Sequence, residues 1–176
     1  MVESQEMLDY GKIAWLWSNS DLHKEWPLRV MSQFVLPPIS LGQYCIIEHN
    51  NTPVAYCSWA LLDKETEEKY ILDPGGIRPE SWKCGDRLWF CDWISPFSSK
   101  YTWLLHRAMK QRFPDKVARA IRVKHKQKDA RVAVFSGEKL TKDQSNALRH
   151  EYFTDIANSL RQHPDLGKDF SLADNK

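Results

Sequence analysis

The chain has 176 residues, 42% of them apolar and eight of them Trp, a composition that excludes an intrinsically disordered polymer and supplies a sizeable core. Its net charge of +2 argues against a surface committed as a whole to nucleic acid. No run reaches the ~18 apolar residues of a spanning helix, and MVESQEMLDYGK has neither the basic nor the apolar region of a signal peptide, so the expected location is the cytoplasm.

The length suits one domain over residues 1–176, frayed from about residue 163. From Glu6 to Trp17 the apolar residues Met7, Tyr10, Ile13, Ala14 and Trp17 fall at helical spacing. A polar break follows, and Pro27 then suits the first turn of a second helix to about Val35, with Pro37 and Pro38 expected to stop it. The period next changes to two: QYCIIEH and PVAYCSWALL, joined by the turn residues NNT, predict an antiparallel hairpin over residues 43–62. KETEEKYIL reads as a short helical crossover, DPGGIRP as a loop and Arg87 to Ser95 as a third strand. Ser98 or Ser99 caps a helix with Trp103, Leu104, Ala108 and Met109 as its apolar stripe, ending near Pro114. KVARAIRVKHK and RVAVFSG alternate as strands, and residues 142–161 form a last helix with Ala147, Leu148, Tyr152, Ile156 and Leu160 on one face. The order predicts an α+β fold, with helices flanking one central, mainly antiparallel sheet.

Cys45, Cys57, Cys84 and Cys91 form no CxxC pair and stand mostly in apolar surroundings. They read as reduced core cysteines, and no zinc site or other metal is expected. Charge is lopsided. Between Arg107 and Arg131 ten Lys or Arg residues meet two Asp, a local +8, which leaves −6 on the rest of the chain. Such a segment attracts an acidic partner and speeds the encounter, whether that partner is a protein, a membrane or a nucleic acid.

The polar break NSDLHKEWPLRV carries His23. A histidine in such a break is by default a surface loop residue. Its interest comes from RLWFCDWIS, where strict alternation puts Asp92 on one face with Leu88, Phe90 and Ile94. A carboxylate there is costly without a cation or several donors. It pairs with an arginine, caps a loop beside Pro96, or orients a histidine that acts as a general base. His49, His106, His125, His150 and His163 lie in a turn, a helix, a basic strand and near the C-terminus. On residues alone, the choice of His23 among the six stays open.

The segments IAWLWSNSDLHKEWPL, GQYCIIEHNNTPVAYCSWALL, RLWFCDWISPF and KYTWLLHRAMKQRFP occur in order over about residues 8–155. Together they resemble the RTX toxin-activating lysine acyltransferases, bacterial proteins that acylate hemolysin-type protoxins. The resemblance implies a GNAT-like mixed sheet flanked by helices. It implies transfer of a fatty acyl group from acyl carrier protein to internal lysines of an RTX protoxin, with no bound cofactor. His23 and Asp92 match the family's functional pair, and Ser20 matches a family serine that supports them. GNAT enzymes that use coenzyme A carry a Gly-rich pyrophosphate loop after the central strand, whereas this chain reads SPFSSKY. That departure fits a donor carried on an acidic protein.

Alternation in KVARAIRVKHKQK lines up Arg122, Lys124, Lys126 and Lys128, a candidate dock for the carrier or a charged edge that discourages strand pairing. The partners expected are acyl carrier protein and a protoxin, with no nucleic acid, and a homodimer is compatible with the sequence. Two other classes remain. A cysteine-dependent acyltransferase or hydrolase would use Cys91 or Cys57 and be killed by alkylation, and a basic-surface adaptor would use Arg107 to Arg131 without catalysis.

Overall fold

The computed structural model describes residues 4–123 and 130–161. Five strands form one sheet in the order β1-β2-β3-β4-β5: β1 (Tyr44–His49), β2 (Thr52–Leu62), β3 (Arg87–Ile94), β4 (Val117–Val123) and β5 (Ala130–Ser136). All neighbours are antiparallel except β3 and β4, which are parallel because the crossover helix α5 (Ser99–Arg112) returns the chain to the same edge. The fold is therefore the expected mixed, mainly antiparallel sheet flanked by helices. Asn50 and Asn51, at φ 49° and 61°, make the tight β1–β2 turn, where an Asn side chain tolerates the left-handed backbone.

Each face of the sheet buries its own core. Ala55, Cys57 and Trp59 on β2, Leu88 and Phe90 on β3, and Ala118 and Ala120 on β4 pack under Leu105 and Met109 of α5. On the other face Tyr56 and Ile94 meet Ile13, Leu16, Trp17, Met31, Val35 and Ile39 of the N-terminal helices, α1 (Ser4–Ser18), α2 (Leu28–Phe34) and α3 (Leu36–Ser40). Ala60, Leu62 and Trp89 continue that face under α4 (Lys64–Leu72) and α6 (Lys142–Arg161) through Tyr70, Ile156 and Leu160.

Four local expectations change. Pro37 and Pro38 do not end the helical region. They sit in the first turn of α3, where no backbone N–H is required, and both are buried. In α5 the buried residues are Leu105 and Met109, while Trp103 is 60% exposed with the Arg107 guanidinium 5.8 Å from its ring. In α6 Ala147 is exposed and the buried stripe is Ile156, Ala157 and Leu160. On β3 a bulge breaks the alternation, because Ser58 pairs with Asp92 but Trp59 pairs with Phe90, which leaves Cys91 as an extra residue. Phe90 and Trp93 consequently pack toward α5, while Cys91 packs beside Trp89 and Tyr70 on the opposite face. Asp92 does not share a face with Leu88 and Phe90. The bulge turns it toward the end of α1.

Candidate active site

The chain leaves α1 at Ser18 and reaches α2 through a compact turn held by its own backbone. His23 N–H and Lys24 N–H both donate to the Ser20 carbonyl, at 3.0 and 2.9 Å, and Trp26 N–H donates to the His23 carbonyl at 2.8 Å. That i to i+3 closure stacks the Ser20 side chain beside the imidazole, and Ser20 Oγ lies 2.8 Å from His23 Nδ1. The other ring nitrogen, Nε2, lies 3.2 Å from Asp92 Oδ1 across 69 residues of sequence. The structure therefore brings Ser20, His23 and Asp92 into one line of contacts.

The surface-loop default for His23 fails, since the residue is 5% exposed. Trp17 and Trp26 hold its ring from two sides, each with its ring centroid 4.7 Å away. Asp92 is positioned by backbone as well as by the histidine, because its N–H donates to Ser58 Oγ at 3.2 Å. Its second oxygen, Oδ2, is buried without a hydrogen-bond partner among the described residues, and so is Trp17 Nε1 beside the ring.

These contacts fix which nitrogen does what. An ionised carboxylate only accepts hydrogen bonds, so the proton between Asp92 and His23 belongs to Nε2 in the neutral ring. Nδ1 is then the basic nitrogen, and it accepts from the Ser20 hydroxyl. A proton taken up at Nδ1 creates an imidazolium beside a carboxylate in a poorly hydrated site, the arrangement that lets a histidine serve as a base. Sequence reasoning named these three residues, and the structure brings them together; their order along the imidazole depends on the turn from Ser20 to Trp26 and on the bulge at Cys91.

The other titratable candidates stand apart. His49 ends β1 and packs on Tyr101, with ring centroids 5.8 Å apart. His106 on α5 lies against Trp93 and Phe135, and burial together with Lys110 lowers its basicity. His150 is exposed on α6, and His125 and His163 lie outside the described residues. Burial pushes the Cys57 thiol well above its ordinary value and that of Cys91 up to about 12, so neither is a thiolate near neutrality. Of the four docking candidates, Arg122 is exposed on β4, whereas Lys124, Lys126 and Lys128 lie outside the described residues. Arg119, one of the ten cations of the basic segment, adds nothing to the surface, being buried against Glu67 at 2.6 Å.

Comparison with known proteins places these contacts in context. The model of the RTX toxin acyltransferase family matches residues 2–136. The chain is 43% identical over 151 residues to the protein-lysine palmitoyltransferase CyaC of Bordetella bronchiseptica, covering 86% of this chain and 82% of that protein. It is 43% identical over 152 residues to the leukotoxin-activating lysine-acyltransferase LktC of Mannheimia haemolytica, covering 86% and 90%. Similarity to the protein-lysine myristoyltransferase HlyC of Escherichia coli is 39% identity over 162 residues, covering 92% and 93%.

Proposed function

Because the chain belongs to the RTX toxin acyltransferase family, and is an acyltransferase on that ground, we propose that it acylates internal lysines of an RTX protoxin. The donor in this reading is a fatty acyl group carried as a thioester on acyl carrier protein, and the product is the active cytolysin. The single observation that carries the site is the continuous contact Ser20 Oγ to His23 Nδ1 and His23 Nε2 to Asp92 Oδ1.

A free lysine has a pKa of ~10.4 and is mostly ammonium at neutral pH, so attack on a thioester requires removal of a proton. Ser20 Oγ faces the substrate, and the proton passes through its hydroxyl to His23 Nδ1. Asp92 holds Nε2 and compensates the imidazolium. The amine nitrogen bonds to the acyl carbon, the C–S bond breaks, His23 returns the first proton to the departing pantetheine thiolate, and the second proton that the nitrogen sheds on becoming an amide is released to solvent. Arg122, with Lys124, Lys126 and Lys128, docks the acidic carrier.

The 2.8 Å contact between Ser20 and Nδ1 equally supports a two-step route, in which the Ser20 oxygen or His23 accepts the acyl group before the lysine does. Rapid quenching with labelled acyl carrier protein and no protoxin separates the routes, since an acylated enzyme accumulates only in the second. A cysteine route draws no support from thiols as strongly protonated as those of Cys57 and Cys91.

The whole reading is tested by mixing the protein with a cognate protoxin and defined acyl carrier proteins and mapping acylated lysines by mass spectrometry. His23→Gln is expected to abolish the modification while leaving the circular dichroism spectrum and melting profile in place. Transfer at the wild-type rate by that folded variant would overturn it.

A further inference from the structure

The turn that buries His23 exposes large apolar side chains on its outer side. Leu22 is 39% exposed, Trp26 41% and Leu28 70%, three within seven residues. Single exposed apolar residues are ordinary on any protein, but a cluster of them beside a reactive group is not explained by packing. Trp26 connects this surface to the site. Its inner side meets the His23 ring at 4.7 Å, the Trp17 ring at 5.4 Å and the Phe34 ring at 6.5 Å, and the remainder faces solvent. Lys24 Nζ in the same turn is tied to Asp21 Oδ1 at 2.8 Å, while Glu25 and Arg29 beside it are of opposite sign.

We propose that Leu22, Trp26 and Leu28 form an open shelf on which the acyl chain of the donor lies while its thioester carbon sits at Ser20 and His23, so that these residues set the preference for chain length. The inference rests on the reading of Ser20 and His23 as the reacting pair. The occupant follows from continuity. Ser20 is half-buried where His23 is buried, Asp92 closes the other end of the imidazole, and the exposed part of Trp26 is the apolar surface that adjoins the His23 ring, so it is the surface a chain attached to a carbon at Ser20 would meet. Relatives that bear the names palmitoyltransferase and myristoyltransferase act with chains long enough to need such support. Each methylene withdrawn from water is worth about fourfold in binding, so an open shelf that covers only part of the chain still favours long donors over short ones.

The test compares butyryl, octanoyl and palmitoyl groups on purified acyl carrier protein in single-turnover transfer to a protoxin. In the double variant Leu22→Gln, Leu28→Gln, the ratio of palmitoyl to octanoyl kcat/KM is expected to fall about tenfold, the effect of losing nearly two buried methylenes. Equal losses for every donor, or an unchanged ratio, overturn the shelf and assign this surface to the protoxin or to a second copy of the chain. His23→Gln in the same series is expected to lose transfer from all three donors. Normal transfer by that variant means the reading of the reacting pair has failed instead. A second measurement is independent of turnover and of mutant folding. Carrier protein loaded with a palmitoyl chain bearing a terminal diazirine is expected to cross-link within residues 22–28 of the wild-type protein, and cross-links wholly elsewhere overturn the proposal.

Discussion

The carboxylate of Asp92 keeps one oxygen, Oδ2, buried with no partner among the described residues, while Oδ1 meets His23 Nε2 at 3.2 Å and its backbone N–H meets Ser58. A buried charge left half satisfied is unfavourable for stability, so the fold gains little from keeping Asp92 ionised, whereas the proposed base at His23 would gain a counter-charge. Asp92→Asn separates the two. Volume is kept and the charge is lost, so transfer is expected to fall by about a hundredfold or more, while the melting temperature stays level or rises. A fall in melting temperature with transfer intact would mean that Asp92 serves the fold. Asp92 was legible in the sequence because a carboxylate in a strand with Leu88, Phe90 and Ile94 is out of place. The family resemblance supplied His23 as its partner. The order of contacts at Nδ1 was not legible, because it depends on how the turn presents the ring, and nothing in the sequence pattern singles out the exposure of Leu22, Trp26 and Leu28.

At the scale of elements, regular periodicity was readable and departures from it were not. The β1–β2 hairpin and α4 lie where alternation, turn residues and caps put them, with Asp63 accepting from Thr66 N–H at 2.8 Å to open the helix. The Cys91 bulge has no sequence signal of its own, since neither Gly nor Pro marks it, and it redirects the carboxylate of Asp92 toward His23. A second unforeseen feature joins α4 and α6 to the sheet. Glu67 is 1% exposed and accepts from Arg87 Nη1 at 2.5 Å and Trp89 Nε1 at 2.7 Å, with Arg119 Nη1 2.6 Å away but poorly aligned for a hydrogen bond. The Arg119 guanidinium lies between the rings of Trp89 and Tyr152, at 4.9 and 4.4 Å, and burial lowers its pKa against the pull of Glu67. A buried pair broken on one side leaves an uncompensated charge, which costs about 3–5 kcal/mol. Glu67→Gln is therefore expected to destabilise the fold by about that much in urea unfolding, and the double change Glu67→Leu, Arg119→Leu to recover most of it. A single variant as stable as the wild type would show that the cluster is not electrostatically held.

The same cluster ends at the surface in Asp155, whose hydrogen bond from Lys64, aided by Arg87, outweighs burial and holds its carboxyl below the usual range. Since the folded value lies below the unfolded one, the stabilisation is complete above the ordinary carboxylate pKa and is lost as pH falls through the folded value. Asp155→Asn is expected to lower the urea midpoint at neutral pH and to show a smaller deficit from the wild-type midpoint at about pH 3. An equal deficit at both pH values would assign the effect to packing.

Over the whole molecule, the lopsided charge is the feature that sequence described most completely and located least well. The ten cations from Arg107 to Arg131 do not act as one surface, because Arg119 is consumed inside the fold while Arg107, Arg112, Lys116 and Arg122 are exposed. Topology decides how they can meet a partner. β4 pairs with β3 only at Trp89 to Arg119 and Phe90 to Ala120, so the ladder between them stops at the residue before the bulge that aims Asp92. Arg122 lies two residues beyond that point on β4, where alternation puts it on the face that Ala118 and Ala120 turn toward α5, opposite the face from which Asp92 meets His23. Charge attraction of this kind governs encounter rather than chemistry and weakens with salt. Arg122→Glu is accordingly expected to raise the KM for acyl carrier protein severalfold, with kcat little changed, and to flatten the rise of KM between about 0.05 and 0.3 M salt. A variant that lowers kcat at unchanged KM would place Arg122 in the chemistry, and one with both constants unaltered would move the dock to the exposed cations of α5.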